Sequence, residues 1–313
     1  MKAAIMTEPR EKTQEYNGCI SILSSRIKCM PVSVKSLWDN WNYRYNYPVY
    51  IYYFDDIYDN PVLQHEILKF TKSDVRFISI PYQTPAHVPE EELFYHRKNL
   101  WYVATGRFGI SRKGYLHMCD FYNNPYGYPN TEFDKYDYIL NLDDEALFTK
   151  EVPYNFFDVL ARRPEYAGAL KLTDPKQKPP KQGNFDTRVG MVAFVKEYIK
   201  KYSIEPKEEF IRTLLSHTDP ETYFHGNLTT AASWVYETSV FRTPEWKQWS
   251  HAVNDSGGVY KYRWADVEMV VLFFLIHYGV MPYDFKTVDE GYHNQGALRY
   301  IQDYAPGVKD SSR

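Results

Sequence analysis

Three consecutive acids, Asp143, Asp144 and Glu145, follow the apolar run YILNL of residues 138–142. Such a run reads as a strand, and in open α/β sheets ligands bind beyond the carboxyl ends of strands. Alternate side chains leaving a strand point to the same side, so Asp143 and Glu145 are expected to converge on one cation. Carboxylate oxygens suit Mg2+ or Mn2+, and such an ion assists the departure of a nucleoside diphosphate by offsetting its charge. A solvated acidic turn, or the charged start of a helix, uses the same residues without chemistry. Asp266 is a second candidate. It opens the strongly apolar stretch 266–277, where Asp is a preferred helix N-cap, and a helix start facing a site serves both roles.

These acids need a scaffold. Residues 18–23 (GCISIL) read as a buried first strand, followed by the polar turn Ser24-Ser25-Arg26. Residues 32–45 carry helical spacing through Val34, Leu37, Trp38 and Trp41. Residues 49–54 and 75–80 read as the next two strands. This βαβ rhythm predicts an α/β fold with a mixed, mainly parallel sheet flanked by helices. Pro89 and Glu90 to Glu92 are expected to open a long helix to about residue 105. A second helix is expected over 113–122, a loop over 123–130 and a further strand over 166–172. A polar, Pro-containing loop is expected over 174–184, helices over 190–204 and 207–216, and a buried helix over 266–277. The stretch TTAASWVYETSVF around Glu237 has strand character, and no internal repeat or linker divides the chain. A single domain follows, with a nucleotide-binding part at about 17–150 and an acceptor and metal part at about 151–300.

Composition narrows the classes. The chain has 313 residues, 44% hydrophobic and 25% charged, enough to bury a substantial core. Its formal net charge of -3 gives no support for a nucleic-acid binder. Aromatics reach 18%, with 30 Tyr. That suits stacking on sugar rings, and an aromatic-rich core accounts for it equally well. Core packing is the expectation for Trp234, Trp246, Trp249 and Trp264, and Cys119 reads as a small buried hydrophobe. Three cysteines without zinc spacing make no disulfide framework. The start lacks a signal peptide's apolar stretch, and the longest apolar run, 269–276, is too short to span a membrane. The expectation is a soluble, cytoplasmic chain, or alternatively a Golgi-type catalytic domain lacking its anchor.

Several stretches, taken in order, resemble the fungal α-1,2-mannosyltransferases of glycosyltransferase family 15. NYRYNYPVYIYYFDD (42–56) is similar to the family's NxxYxYPWVFxND, and GYLHMCDF (114–121) to SYRxMCRF. KYDYILNLDDEAL (135–147) resembles KYDYYWRVEPDV, WVYE (234–237) resembles WSNFE, and GGVYKYRWAD (257–266) resembles GGFFYERWGD. Gly291-Tyr292-His293 resembles the ending GYxH. The resemblance implies a GT-A fold, a GDP-sugar (GDP-mannose) as donor, a glycan hydroxyl as acceptor, Mn2+ or Mg2+ as cofactor, and a retaining transfer. It places Asp143, Glu145 and His293 at the metal. It places Tyr115, Glu237 and Asp266 at the reacting sugar and acceptor, and Arg26 in the nucleotide region. Asp144, which stands where the family has Pro, is counted with the cofactor-binding residues, as are Tyr52 and Asp55 near the base. Two family arginines are replaced, by Leu116 and Asp120; Arg112 is a candidate replacement charge. A UDP-sugar or GDP-fucose donor fits the same acid cluster, and a non-catalytic carbohydrate-binding relative fits the aromatics. Nuclease and phosphatase readings lack the Asp/His pairs of a two-metal site. Acceptor identity, linkage and oligomeric state are not encoded in these motifs.

Overall fold

The computed structural model describes residues 15–54, 56–94, 113–173, 188–207, 230–294 and 296–297. Its centre is a seven-stranded sheet in the order β3-β2-β1-β4-β7-β6-β8. The strands are β1 (Gly18–Ser24), β2 (Val49–Tyr53), β3 (Val75–Ser79), β4 (Tyr138–Asp143), β6 (Ala167–Thr173), β7 (Thr230–Glu237) and β8 (Tyr283–Asp284). β5 (Leu147–Phe148) and β9 (Tyr292–His293) form a separate antiparallel pair. β1 runs parallel to both β2 and β4, and β3 runs parallel to β2. β7 is antiparallel to β4 and β6, while β8 is parallel to β6. The architecture is therefore the mixed, mostly parallel α/β sheet of the GT-A type.

Every residue of β1 is buried. A central strand with parallel neighbours on both sides and helices on both faces needs such a continuous apolar run. Among the described residues the helices are α1 (Met30–Asn40), α2 (Pro61–Leu68), α3 (Lys113–Asn123), α4 (Phe156–Ala161), α5 (Met191–Lys201), α6 (Pro244–Ser256), α7 (Gly258–Tyr262) and α8 (Asp266–His277). Local chemistry sets their starts. Asn60 accepts the Val62 N–H ahead of Pro61, and Thr243 accepts the Trp246 N–H ahead of Pro244. α8 is apolar all round, and every residue from Glu268 to Ile276 is buried. Such a helix has to lie inside the molecule; α8 packs against α3, α6 and β7. The four tryptophans 234, 246, 249 and 264 are buried here, as is Cys119.

Side-chain alternation along β4 divides the two faces. Leu140 and Leu142 join α1 and α4 in one apolar cluster. Ile139 faces the opposite way, toward Phe121 of α3. Asn141 and Asp143 share that second face by the two-residue period. The sheet thus aims Asp143 at the side where α3 and α8 lie.

One expected element differs. Glu90–Glu92 form a single 3-10 turn, and Leu93 is extended at φ -60, ψ 139, so the acids at 90–92 do not open a continuous helix. The rest of that stretch, like most of 174–184 and 207–216, lies outside the described residues.

Candidate active site

The loops at the carboxyl ends of β1 and β4 are tied by one carboxylate. Asp144 Oδ2 accepts the backbone N–H groups of Ser25 and Arg26, each at 2.9 Å. Arg26 Nη1 donates to Asp144 Oδ1 at 2.6 Å, and Ser33 Oγ donates to the Asp144 carbonyl at 2.8 Å. Asp144 is 3% exposed. Its side chain therefore staples the turn after β1 to the turn after β4. Arg26 Nε also lies 3.6 Å from Glu145 Oε2. Burial works against the Arg26 charge, but Asp144, Glu145 and Asp143 more than offset it and raise its pKa above the ordinary value.

Asp143 and Asp266 are electrostatically coupled across this corner. Asp143 is half-buried at the end of β4, and Asp266 is half-buried in the first turn of α8. Burial, then Asp144, push the Asp143 carboxyl up to about 6, against Arg26 and a hydrogen bond from the Asn294 side chain. Burial, then Asp143 and Glu268, push Asp266 up to about 7, although its own backbone N–H and that of Val267 favour the charged form. Glu268 forms a buried ion pair with Arg188, 3.2 Å from Nη2 to Oε1, which fixes the start of α8.

Aromatic residues enclose the pair. Tyr115 on α3 lies under Arg263, whose guanidinium carbon is 4.2 Å from the ring centroid. Burial raises the Tyr115 hydroxyl well above its ordinary pKa, opposed by Arg263 and reinforced by Cys119, Asp266 and Glu268. Burial also raises Tyr122, with Asp143 and Asp266 adding to the effect. Tyr236 is raised by burial and by Asp266, and shares a hydrogen bond with Asn141. All three hydroxyls stay neutral donors at ordinary pH. Arg263 adopts φ +61 at the turn between α7 and α8, an uncommon conformation for a side-chain-bearing residue.

The structure separates the other expected residues. Glu237 pairs with Tyr138 at the opposite end of the β4–β7 ladder. Five residue steps at about 3.3 Å put it roughly 16 Å along the strand from Asp143. The direction of β7 therefore removes Glu237 from the acid corner; Trp234 and Tyr236 lie nearer. Tyr52 is fully buried between Phe121 and Phe133, and its hydroxyl accepts the Glu132 N–H at 3.3 Å. Sealed in that apolar cluster, it is closed to a nucleotide base. His293 is exposed on β9, opposite Leu147, with Nε2 3.5 Å from Thr149 Oγ1. Among the described residues no group of three or more His, Cys, Asp or Glu side chains is arranged around one ion. The expected trio of Asp143, Glu145 and His293 is therefore not assembled, because Glu145 faces Arg26. Asp55 and Arg112 lie outside the described residues.

Sequence reasoning missed Asn294, Ser233, Tyr122 and Arg263. Asn294 directly follows the Gly-Tyr-His motif, and Arg263 lies within the motif that ends in Asp266. Gly291, ahead of β9, sits at φ +88, and a Cβ there would meet Thr149 Oγ1 at 2.6 Å. Only glycine lets the tail approach β5 so closely.

The sequence profile of the family described as glycolipid 2-alpha-mannosyltransferase matches residues 2–281. The chain belongs to this family. It is accordingly a glycosyltransferase, and the match takes in every candidate residue above except those on β9 and after it. Among solved structures, core-mannan synthase A (CmsA/Ktr4) from Aspergillus fumigatus, in its Mn/GDP form, superposes with a TM-score of 0.67. Identity is 14%, over 86% of this chain and 72% of that one. The mannosyltransferase Ktr4p from S. cerevisiae, in complex with GDP, superposes with a TM-score of 0.64 at 14% identity. That alignment covers 84% of this chain and 67% of that one. At such identity the likeness is one of fold. No curated protein sequence matches the chain. No described helix of this family member is long and apolar enough to cross a membrane.

Proposed function

We propose that the protein transfers a mannosyl unit from GDP-mannose to a hydroxyl of a glycan acceptor, with a divalent cation and with retention of the α configuration. The observation that carries this reading is the electrostatic coupling of Asp143, at the carboxyl end of β4, to Asp266 in the first turn of α8. Asp144 raises Asp143 and Asp143 raises Asp266, so negative charge accumulates here, which a cation relieves. Mg2+ and Mn2+ are commonly held by one or two carboxylates plus substrate phosphates and water, so this small donor set fits. The family match supports mannosyl transfer. The Mn/GDP form of core-mannan synthase A and the GDP complex of Ktr4p support the donor and the cofactor.

Asp143 is the residue that would hold the ion, with His293 on the neighbouring β9 as a nitrogen donor. When bound, the ion offsets charge on the departing diphosphate. The chain's own residues do the rest. Arg26, clamped by Asp144, keeps the turn after β1 closed against β4 and places one fixed positive charge beside the acids. Asp266 takes the hydrogen bond of the acceptor hydroxyl at its carboxylate, and its raised pKa suits a group that exchanges a proton near neutrality. Tyr115, Tyr122 and Tyr236 remain neutral, wall the corner with apolar ring surface, and exclude water around the sugar. The nucleotide-binding part at about 17–150 and the acceptor part at about 151–300 contribute strands to one sheet, and their boundary runs beside the site.

A donor panel tests the reading. GDP-mannose, GDP-fucose and UDP-sugars are offered with small mannosides and Mn2+, and the product anomer is read by NMR. Transfer of mannose from GDP-mannose with an α product is expected. Preference for a UDP-sugar, or a β product, would overturn it.

A further inference from the structure

Ser233 is the one residue of β7 with a left-handed backbone, φ +55. It is 4% exposed. A non-glycine residue in that region inside a strand is strained, and strain of this kind persists where surrounding contacts require it. β7 keeps its register with β6 on either side, at Ala169↔Trp234 and Lys171↔Ala232. Its ladder with β4 stops at Asn141↔Trp234. Asp143 N–H thus has no further rung on β7, and a buried backbone donor needs an acceptor. Ser233 Oγ supplies it at 3.2 Å.

The same oxygen accepts the buried Tyr292 hydroxyl at 2.7 Å. That hydroxyl also lies 3.3 Å from Asn294 Oδ1. The Asn294 side chain in turn lies near enough to the Asp143 carboxylate to favour its charged form. Hydrogen bonds run from the Asp143 backbone to Ser233, from Tyr292 to Ser233 and from Tyr292 to Asn294, and the nearness of Asn294 to the Asp143 carboxylate completes a ring. The ring joins the middle of the sheet to the tail strand β9, which Gly291 holds against Thr149.

We propose that Ser233 is a positioning residue, which fixes both the backbone and, through Tyr292 and Asn294, the carboxylate of Asp143 in the direction needed to hold the cation. The inference rests on the proposed cation-assisted reading. Outer-shell partners of this kind change metal affinity by about 10- to 100-fold when removed. The strained backbone makes glycine the informative replacement, because Ser233→Gly relieves the strain while deleting the hydroxyl.

Mn2+ binding is measured by electron paramagnetic resonance on metal-stripped protein without donor, for wild type, Ser233→Gly, Tyr292→Phe and the double variant, with melting temperatures alongside. The expected result is a roughly tenfold or greater loss of Mn2+ affinity in Ser233→Gly, with a melting temperature lowered by only a few degrees because strain relief offsets part of the lost hydrogen bonds. The double variant is expected to lose less than the product of the two single losses, since both act through one ring. A Ser233→Gly protein that binds Mn2+ as wild type does overturns the inference. So does affinity lost only in step with melting temperature. A wild type that binds no divalent cation overturns the cation reading itself, a distinguishable failure.

Discussion

Replacing Asp144 with Ala separates structure from chemistry in the acid run. The substitution removes the acceptor of the Ser25 and Arg26 N–H groups and the 2.6 Å partner of the Arg26 guanidinium. Asp144 is buried, while Arg26 is 40% exposed along its side chain, so water recovers part of the loss on that side. Hydrogen bonds to a charged group contribute about 1.5–3 kcal/mol, and breaking a fully buried pair costs about 3–5 kcal/mol. Discounting for the exposed arginine gives a destabilisation of about 3 kcal/mol. For a chain of this size that lowers the melting temperature by on the order of 6 °C. Scanning calorimetry gives the stability, and calorimetric titration gives Mn2+ affinity below the melting range. Mn2+ affinity is expected to fall by less than the roughly tenfold that loss of a supporting partner costs. A variant that melts like wild type yet no longer binds Mn2+ would refute the staple and return Asp144 to cofactor binding.

Three further outcomes follow from other parts of the molecule. Burial raises the Asp120 carboxyl from 3.8 to about 6, against the hydrogen bonds from Tyr128, at 2.6 Å, and Tyr260. A raised folded pKa gives stability that is full below about pH 4 and lost as pH rises through about 6; the two-unit shift corresponds to about 3 kcal/mol. Asp120→Asn is therefore expected to be more stable than wild type at pH 7.5 and equal to it at pH 4 in urea unfolding; an unchanged difference across that range contradicts the burial argument. Glu237→Gln is expected to leave kcat/KM within about twofold of wild type, because the residue lies at the far end of the ladder from the acids; a loss of several decades would place it at the reacting sugar. Asp266→Asn is expected to lower kcat/KM by about 100-fold or more with its fold intact by circular dichroism; wild-type turnover would remove Asp266 from the chemistry.

What the sequence made legible and what it hid divide along physical lines. β1, β4 and α8 are local patterns: a continuous apolar run flanked by turn residues, and twelve apolar-rich residues opened by an acid. Each emerged within a residue of its expected bounds. Asp143 and Asp266 stood out as candidates because each sits at the end of such an element. Glu237 was misplaced because the direction of a strand is set by its partners across the sheet, which a local motif does not encode. Tyr52 carries the same alternation whether its face is covered or open, and only the packing of Phe121 and Phe133 decides. Glu145 belongs with Asp143 by strand parity, but the strand stops at Asp143 and the parity stops with it. Ser233 gave no signal, since its left-handed backbone arises where β7 parts from β4.

The most direct measurement is calorimetric titration of the metal-stripped protein with GDP and with UDP, each with and without Mn2+, in wild type and Asp143→Ala. Tight binding of GDP over UDP that requires Mn2+, and is lost in Asp143→Ala while the fold persists, is the expected result. Equal binding of both nucleotides, binding indifferent to Mn2+, or an Asp143→Ala protein that binds GDP and Mn2+ as wild type does would contradict the proposed function.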